Sequence, residues 1–333
     1  MRALVFNRYG GLDQVAIADL PRPVPKPDEI LVQVHAAGLN PVDNKIRSGK
    51  LRPILRFRLP APLGSDVSGV VVEVGRSVKR FKPGDAVFAC IDGLRMGALA
   101  ELAVVAEKAA ALKPGPLDFE QAASLPLVGL TAWQALKEHA HLGPGQKVFI
   151  PAGAGGIGTF AIQLAKYLGA KVATTTSTGN VDLVRSLGAD EVIDYKKQNF
   201  EDVLRDYDAV LDTLGGESLE KSFRILKTQG NVVSIVGPPD AAFGRTRGLN
   251  PLLVFVLWLM SRKVHRLARK RGVEYSFQLM NPDGRHLAEI GELLKEGSIR
   301  PVIDKVFPFD QAKEALAYLK KGRAKGKVVV QVR

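Results

Sequence analysis

Three glycines near the middle of the chain, Gly153, Gly155 and Gly158, have the spacing G-x-G-x-x-G. A short apolar run at 148–150 precedes them, and apolar residues at helical spacing follow as far as 168. This strand, turn and helix context lets the backbone approach a pyrophosphate, which the helix N-terminus then attracts. The predicted dinucleotide contacts here are Gly153, Gly155, Gly156, Ile157 and Gly158.

The residues after this loop alternate between apolar runs and helical patterns. The predicted strands are 171–176, 191–194, 209–212 and 231–236, with a sixth at 273–279. Strands that alternate with helices are typical of a parallel doubly wound sheet. The sequence therefore predicts an α/β fold for this part of the chain, with the glycine loop after its first strand.

The first 125 residues have a different, β-rich pattern. Predicted strands lie at 30–35, 70–74, 86–89 and 98–105. A helix at 311–320 and a final strand at 327–332 follow the α/β segment, and we expect both to return to the first domain. The predicted domains are thus 1–125 completed by 285–333, and 126–284.

Composition narrows the classes of function. The chain has 333 residues and a formal net charge of +13, which favours anionic partners. We exclude nucleic acid as the main partner, because no basic stripe with interleaved aromatic residues occurs. Cys90 is the one cysteine, so a reducing compartment is predicted, with a cytoplasmic location. We find neither a signal peptide nor an apolar run long enough to span a membrane.

Several further motifs carry a resemblance to a known family. They are AGLNPVDNKIRSG (37–49), LGSDVSGVVVEVG (63–75), FKPGDAVFA (81–89), QAASLPLVGLTAWQAL (121–136), AGAGGIG (152–158), SLGADEVIDY (186–195) and KGKVVV (325–330). Over essentially its whole length the chain resembles the quinone oxidoreductase-like, zinc-free branch of the medium-chain dehydrogenase/reductase superfamily. The resemblance implies a GroES-like catalytic domain, an inserted Rossmann cofactor domain and a homodimer.

The resemblance also implies roles for residues outside the glycine loop. Asn40 and Thr131 are expected to flank the nicotinamide, and Lys45 to lie near its ribose. Other expected cofactor contacts are Thr213, Gly237, Gly326 and Lys327. Asn40 and Lys45 are the candidate catalytic residues, whereas Asp43 and Asp66 are interpreted as structural caps.

No zinc site is predicted. The zinc-dependent relatives place a cysteine ligand where this chain has Asn40, and a His-Glu pair where it has Ser65 and Asp66. The five histidines do not form a cluster with the spacing of zinc ligands. Without this Lewis acid, alcohol oxidation is disfavoured, whereas an electrophilic quinone or enone can still accept hydride.

The predicted cofactor is NADPH. NAD sites place an acidic residue about 20 positions after the first glycine, and the stretch 171–180 contains no Asp or Glu. Ser177, Asn180 and Tyr195 are the predicted contacts on the phosphate and adenine side, with charge supplied by Lys196 or Arg185. A solvated polar turn is the alternative interpretation.

The leading functional prediction is an NADPH-dependent quinone or enone reductase acting on a small hydrophobic electrophile. A 2-enoyl thioester reductase and a non-catalytic NADPH-binding protein remain alternatives, since fold alone does not establish activity. Residues 250–271 contain nine consecutive apolar residues followed by a basic run. This stretch could be a buried helix, a dimer contact, a lid over the substrate or a peripheral membrane contact.

Overall fold

The computed structural model describes residues 1–52, 55–92 and 95–333. Its contacts divide the chain into two compact units. Unit 1 comprises Met1–Leu130 and Asn281–Arg333, and unit 2 is the continuous segment Thr131–Met280. No helix among the described residues is long and apolar enough to cross a membrane.

Both units contain β-strands, numbered in chain order. They are β1 (Arg2–Phe6), β2 (Val15–Asp19), β3 (Glu29–Leu39), β4 (Ala61–Pro62), β5 (Asp66–Val74), β6 (Ala86–Cys90), β7 (Leu102–Ala106), β8 (Ala110–Leu112), β9 (Lys147–Ile150), β10 (Lys171–Thr176), β11 (Glu191–Asp194), β12 (Tyr207–Asp212), β13 (Leu226–Ser234), β14 (Glu274–Phe277), β15 (Ile303–Pro308) and β16 (Lys327–Gln331).

The α-helices are numbered in the same way. They are α1 (Pro41–Arg47), α2 (Phe119–Ala123), α3 (Pro126–Trp133), α4 (Gly156–Tyr167), α5 (Val181–Ser186), α6 (Phe200–Val203), α7 (Gly216–Ser222), α8 (Ala241–Thr246), α9 (Pro251–Arg271), α10 (Gly284–Lys295) and α11 (Ala312–Lys320). A π-helical segment, Gln134–His139, continues α3.

Unit 1 is built around β3, the long strand at the centre of its larger sheet. The order of that sheet is β15-β16-β3-β5-β6-β8, and β7 also pairs with β3. A smaller sheet has the order β2-β1-β4. Apolar side chains from both sheets and from α11 form one buried cluster, which contains Leu4, Val32 and Leu316. The C-terminal strand β16 is therefore part of the same sheet as residues from the first hundred.

Unit 2 contains a six-stranded sheet in the order β11-β10-β9-β12-β13-β14. Every strand pair in it is parallel. Counted along unit 2, this is the order 3-2-1-4-5-6 of a doubly wound dinucleotide-binding fold. The predicted α/β fold class is confirmed, and the glycine loop follows β9, the first strand of the sheet.

Candidate cofactor site and buried polar cluster

The glycine loop of unit 2 is packed too closely for side chains. A Cβ built on Gly153 would lie 2.1 Å from Thr174 Oγ1, and one on Gly158 would lie 2.5 Å from the carbonyl oxygen of Ala152. The Gly153 N–H donates to the carbonyl of Thr175 at 3.0 Å, which fixes the loop against β10. Gly153 and Gly158 therefore allow the loop to pack against a neighbouring strand and against itself.

The first turn of α4 supplies the donors that a pyrophosphate needs. Gly155 caps the helix with extended backbone, so the N–H groups of Gly156, Ile157 and Gly158 have no partner within the helix. A Cβ on Gly155 would meet only the Ala152 carbonyl, at 3.3 Å. This half-exposed turn fits a dinucleotide, because its amide dipoles and the helix dipole both favour an anion.

The other predicted cofactor residues of unit 2 lie at the carboxyl ends of neighbouring strands. Ser177 follows β10, exposed Tyr195 follows β11, Thr213 follows β12 and Gly237 lies beyond β13. Ligands of open α/β sheets bind at this edge. Asn180 joins them, because its Nδ2 donates to Ser177 Oγ at 3.2 Å.

A cavity of about 420 Å³ opens beside this edge, between α5 and the end of β11. Arg185 and Lys197 contribute cations to its lining, and Thr178 and Asp194 contribute polar groups. Thr178 Oγ1 donates to Asp194 Oδ2 at 2.6 Å, and this bond holds the pKa of Asp194 below its usual range. Of the two cations suggested by the sequence, Arg185 lines the cavity; Lys197 was not predicted.

A buried carboxylate that sequence reasoning missed organises the loops after β12 and β13. Asp212 Oδ1 accepts the N–H of Gly215 at 2.8 Å, and its Oδ2 accepts the hydroxyl of Ser234 at 2.6 Å. Ser234 Oγ in turn accepts the N–H of Gly237 at 2.8 Å. Part of the signal was present in the sequence, because Asp212 ends the predicted strand 209–212; Ser234 lies inside the predicted strand 231–236 and ends β13 only in the structure.

Unit 1 contains a separate cluster of buried charged and polar side chains. Lys327 Nζ donates to Asn40 Oδ1 at 2.6 Å and lies 2.9 Å from Asp66 Oδ2. Asn40 Nδ2 donates to the same Asp66 oxygen at 2.9 Å. The other oxygen, Asp66 Oδ1, accepts the N–H of Leu127 at 2.8 Å, in the first turn of α3. Lys327, Asn40 and Asp66 thus form a closed network that satisfies both charges.

Sheet register brings these residues together from distant parts of the chain. Val328 of β16 pairs with Leu39, the last residue of β3, and the two strands are antiparallel. Lys327, which begins β16, therefore lies opposite Asn40, which follows β3. Gly38 pairs with Asp66, where a Cβ on Gly38 would lie 2.3 Å from the Ala123 carbonyl. Four strands therefore place their ends at one edge, because Asp66 also pairs with Cys90 at the end of β6.

Two further groups titrate abnormally beside this network. Asp43 is completely buried in α1, and burial raises its pKa to about 7, even though its Oδ2 accepts the Asn40 N–H at 2.7 Å. Its other oxygen has no partner among the described residues. Burial, with the nearby Asp66 carboxylate, raises the pKa of the Cys90 thiol well above its ordinary value. A neutral thiol is a poor nucleophile, so Cys90 is an unreactive core residue.

The remaining predicted residues are distributed between the units. Lys45 is exposed on α1 and outside the network. Gly326 lies in unit 1, where a Cβ would come within 2.2 Å of the Val302 carbonyl. Thr131 is buried in unit 2 near the end of α3, and its carbonyl accepts Gln278 Nε2 at 3.5 Å. Asn40 and Lys327, predicted to have separate roles, are in direct contact.

The positions that correspond to zinc ligands in the related dehydrogenases do not form a metal-binding group. Asn40 and Ser65 offer an amide and a hydroxyl, and Asp66 is occupied by the Lys327 ammonium. Across residues 1–52, 55–92 and 95–333, no three His, Cys, Asp or Glu side chains are grouped as metal ligands. This donor set does not suit Zn²⁺, which binds Cys, His and carboxylate groups.

Comparisons with known proteins cover both units. Residues 26–115 match the alcohol dehydrogenase GroES-like domain, and residues 187–330 match a family described as zinc-binding dehydrogenase. The NAD(P)H oxidoreductase RTN4IP1, mitochondrial, of Danio rerio is 36% identical over 100% of this chain and 91% of its own length. The NADPH-dependent alkenal/one oxidoreductase, chloroplastic, of Arabidopsis thaliana is 37% identical over 99% of this chain and 79% of its own length.

A solved structure extends the likeness to three dimensions. Escherichia coli quinone oxidoreductase complexed with NADPH superposes with a TM-score of 0.84 at 26% identity, over 100% of both chains. The predicted GroES-like and Rossmann architecture is thereby confirmed, as is the predicted family. The chain belongs to the quinone oxidoreductase-like branch of the medium-chain dehydrogenase/reductase superfamily.

Proposed function

We propose that this chain reduces quinones or α,β-unsaturated carbonyls with NADPH, and that it does so without zinc. As an oxidoreductase of this family it binds NADP(H), which supplies hydride when bound. The observation that carries the zinc-independent part is the contact between Lys327 and Asp66 at 2.9 Å. Here an ammonium provides the positive charge that a metal provides in the zinc-dependent relatives.

The network also fixes the orientation of the candidate catalytic amide. Asn40 Oδ1 is held by Lys327, and one of the two hydrogens on Nδ2 is held by Asp66. We propose that the second hydrogen donates to the substrate oxygen, where negative charge develops during reduction. Lys45, exposed on α1, is the alternative donor, and solvent supplies the proton.

The proposed preference for NADPH over NADH depends on the cavity beside β10 and β11. Arg185 and Lys197 place two cations there, and the polar Ser177 and Asn180 lie next to it. Asp194 opposes this charge in part: its Oδ2 accepts the Thr178 hydroxyl and lies 3.7 Å from Lys197 Nζ, so it partly neutralises Lys197. A 2′-phosphate would therefore gain its attraction mainly from Arg185.

Substitution of Arg185 tests this preference. We expect Arg185→Gln to lower kcat/KM with NADPH about tenfold and to leave kcat/KM with NADH nearly unchanged, because NADH lacks the 2′-phosphate. The matched control is Arg205→Gln, since Arg205 donates to carbonyl groups of its own helix and loop. A wild-type enzyme that prefers NADH would refute the assignment.

The activity itself is tested with a panel of quinones, enones and enoyl-CoA thioesters. Oxidation of NADPH is followed by absorbance, before and after treatment of the protein with a chelator. We expect turnover of quinones or enones that the chelator does not reduce. Selective turnover of enoyl-CoA would instead indicate the thioester reductase. NADPH binding without turnover of any substrate would indicate the non-catalytic alternative, and a requirement for stoichiometric zinc would refute the zinc-independent reaction.

The assembly and location also remain proposals. We propose a homodimer, as the family resemblance implies, and light scattering of the purified protein measures its mass. The proposed location is cytoplasmic. The two relatives described above carry the words mitochondrial and chloroplastic in their names, so fluorescence microscopy of the tagged full chain is the direct test.

A further inference from the structure

Helix α9 of unit 2 exposes an unusual amount of apolar surface. Seven of its nine side chains from Leu252 to Met260 are 40–72% exposed. The helix is well defined at both ends: Asn250 Oδ1 accepts the Leu253 N–H at 2.9 Å, and Gly272 ends the helix in the left-handed conformation. The apolar exposure is therefore a property of a stably capped helix.

Only one stripe of α9 packs inward. Val264 and Ala268 enter the core of unit 2, and Val254 and Leu257 pack close to Gly244 of α8. At 100° per residue, the opposite stripe contains Phe255, Leu259, Arg262 and Arg266. This outward stripe begins apolar and becomes basic after two turns. The sequence-based alternative of a helix buried within the chain is therefore wrong for the first half of α9.

The charged residues within this segment of the chain have one sign, although Asp240 lies 3.5 Å from His265 of α9. Between 241 and 273 the chain has eight Lys and Arg residues and no Asp or Glu. One of them, Lys263, is paired with Glu220 of α7. Another, Arg262, lies 5.7 Å from the ring of Trp258 and so borders the apolar surface directly. The apolar half and the basic half are continuous on one outward face.

We propose that this face, residues 250–271, docks on an anionic lipid bilayer. Apolar side chains of a peripheral helix enter the boundary between headgroups and acyl chains to a depth of about 5–10 Å, while cations contact the headgroups. The nine apolar residues extend about 13 Å at 1.5 Å per residue, too short for a full span, and a tilted helix keeps them within this depth. The basic half then lies at the level of the lipid phosphates.

A second copy of the chain fits this face poorly. Two-fold symmetric pairing brings the same surface of each copy together. If the two helices ran parallel, the basic halves would face each other, and like charges repel. If they ran antiparallel, each basic half would cover the partner's apolar half and leave its charges desolvated. A bilayer satisfies both halves at once, which is why it is the favoured partner.

The test is co-sedimentation of the full chain with vesicles. We expect binding to vesicles of phosphatidylcholine with phosphatidylglycerol, weakening as salt is raised, and little binding to phosphatidylcholine alone. Arg262→Gln combined with Arg266→Gln should weaken binding about 25-fold, since each cation near the surface contributes about fivefold. Phe255→Ser combined with Leu259→Ser should weaken it about tenfold or more.

Matched variants in unit 1 distinguish binding through this face from nonspecific hydrophobic adsorption and from an effect of net charge. Arg76→Gln with Lys82→Gln removes the same charge, and Val24→Ser with Leu112→Ser removes exposed apolar side chains. Both control pairs should bind vesicles like the wild type. Equal weakening by a control pair, or no binding to anionic vesicles at low salt, would overturn the proposal. A different outcome would assign the face to a second copy: the wild type does not bind vesicles, and the Phe255→Ser, Leu259→Ser variant is a monomer where the wild type is a dimer.

Discussion

Replacement of Lys327 by Met should destabilise unit 1 strongly. The ammonium is buried against Asp66 Oδ2 at 2.9 Å and is also a hydrogen-bond donor to Asn40. Met has a similar length but no charge, so the variant leaves the completely buried carboxylate of Asp66 without its cation. Removing one member of a buried ion pair costs about 3–5 kcal/mol, because the remaining charge is desolvated and uncompensated.

The assay must report on unit 1, since Trp133 and Trp258 both lie in unit 2. Hydrogen exchange measured by mass spectrometry on peptides from β3 and β16 meets this need. A loss of 3–5 kcal/mol corresponds to exchange roughly 150- to 5,000-fold faster in these strands. Peptides from β9 and β10 in unit 2 serve as the internal reference.

Two further variants make this prediction refutable. Lys325→Met removes a lysine from an exposed position two residues away and should exchange like the wild type. Lys327→Met with Asp66→Asn removes both charges, so we expect it to recover most of the lost protection. If Lys327→Met exchanged no faster than Lys325→Met, or if the double variant were no better than the single one, the ion pair would not carry the stability assigned to it.

Three other predictions concern the two sites. Asn40→Ala should lower kcat about 10- to 100-fold, measured as NADPH oxidation; a loss near 10⁴-fold would instead indicate an essential acid or base. Because burial raises the pKa of Asp43 from 3.8 to about 7, ionisation in the folded state is unfavourable and stability should fall as pH rises from about 4 to 7, by roughly 4 kcal/mol at most. In urea unfolding, the free energy of unfolding of Asp43→Asn should lack this dependence on pH, whereas that of Asp118→Asn, changed at an exposed position, should keep it. Equal pH dependence in the two variants would contradict the assignment. Gly158→Ala should raise the NADPH Kd more than tenfold in a fluorescence titration, because its Cβ would lie 2.5 Å from a carbonyl oxygen, whereas Gly143→Ala meets nothing closer than 3.9 Å and should bind normally.

The sequence predicted best the strands that are buried along their whole length. Strands β10 and β11 have the predicted bounds, because buried parallel strands are short runs between clear turns. It missed α1, whose seven residues are too few for a helical pattern to stand out. It also started the strand predicted at 231–236 too late, since β13 begins at Leu226, because Lys227–Gly230 has no apolar pattern typical of a strand.

The glycine loop could be predicted because its function requires residue types at fixed local spacing. The partner of Asp66 could not, since Lys327 lies 261 residues away in the sequence. Only the register of β16 on β3 determines that contact. The resemblance placed Asn40 and Lys327 among functional residues, but the physical relation between them became visible only when the strands were paired.

The position of β16 beside β3 has a consequence for synthesis on the ribosome. Unit 2 is continuous and can fold as soon as it emerges, whereas the larger sheet of unit 1 waits for the last strand of the chain. Until then residues 36–39 of β3 lack their partner strand and Asp66 lacks the Lys327 ammonium. A nascent chain stalled before Lys327 would therefore present an unpaired strand, which is a target for chaperones and for aggregation.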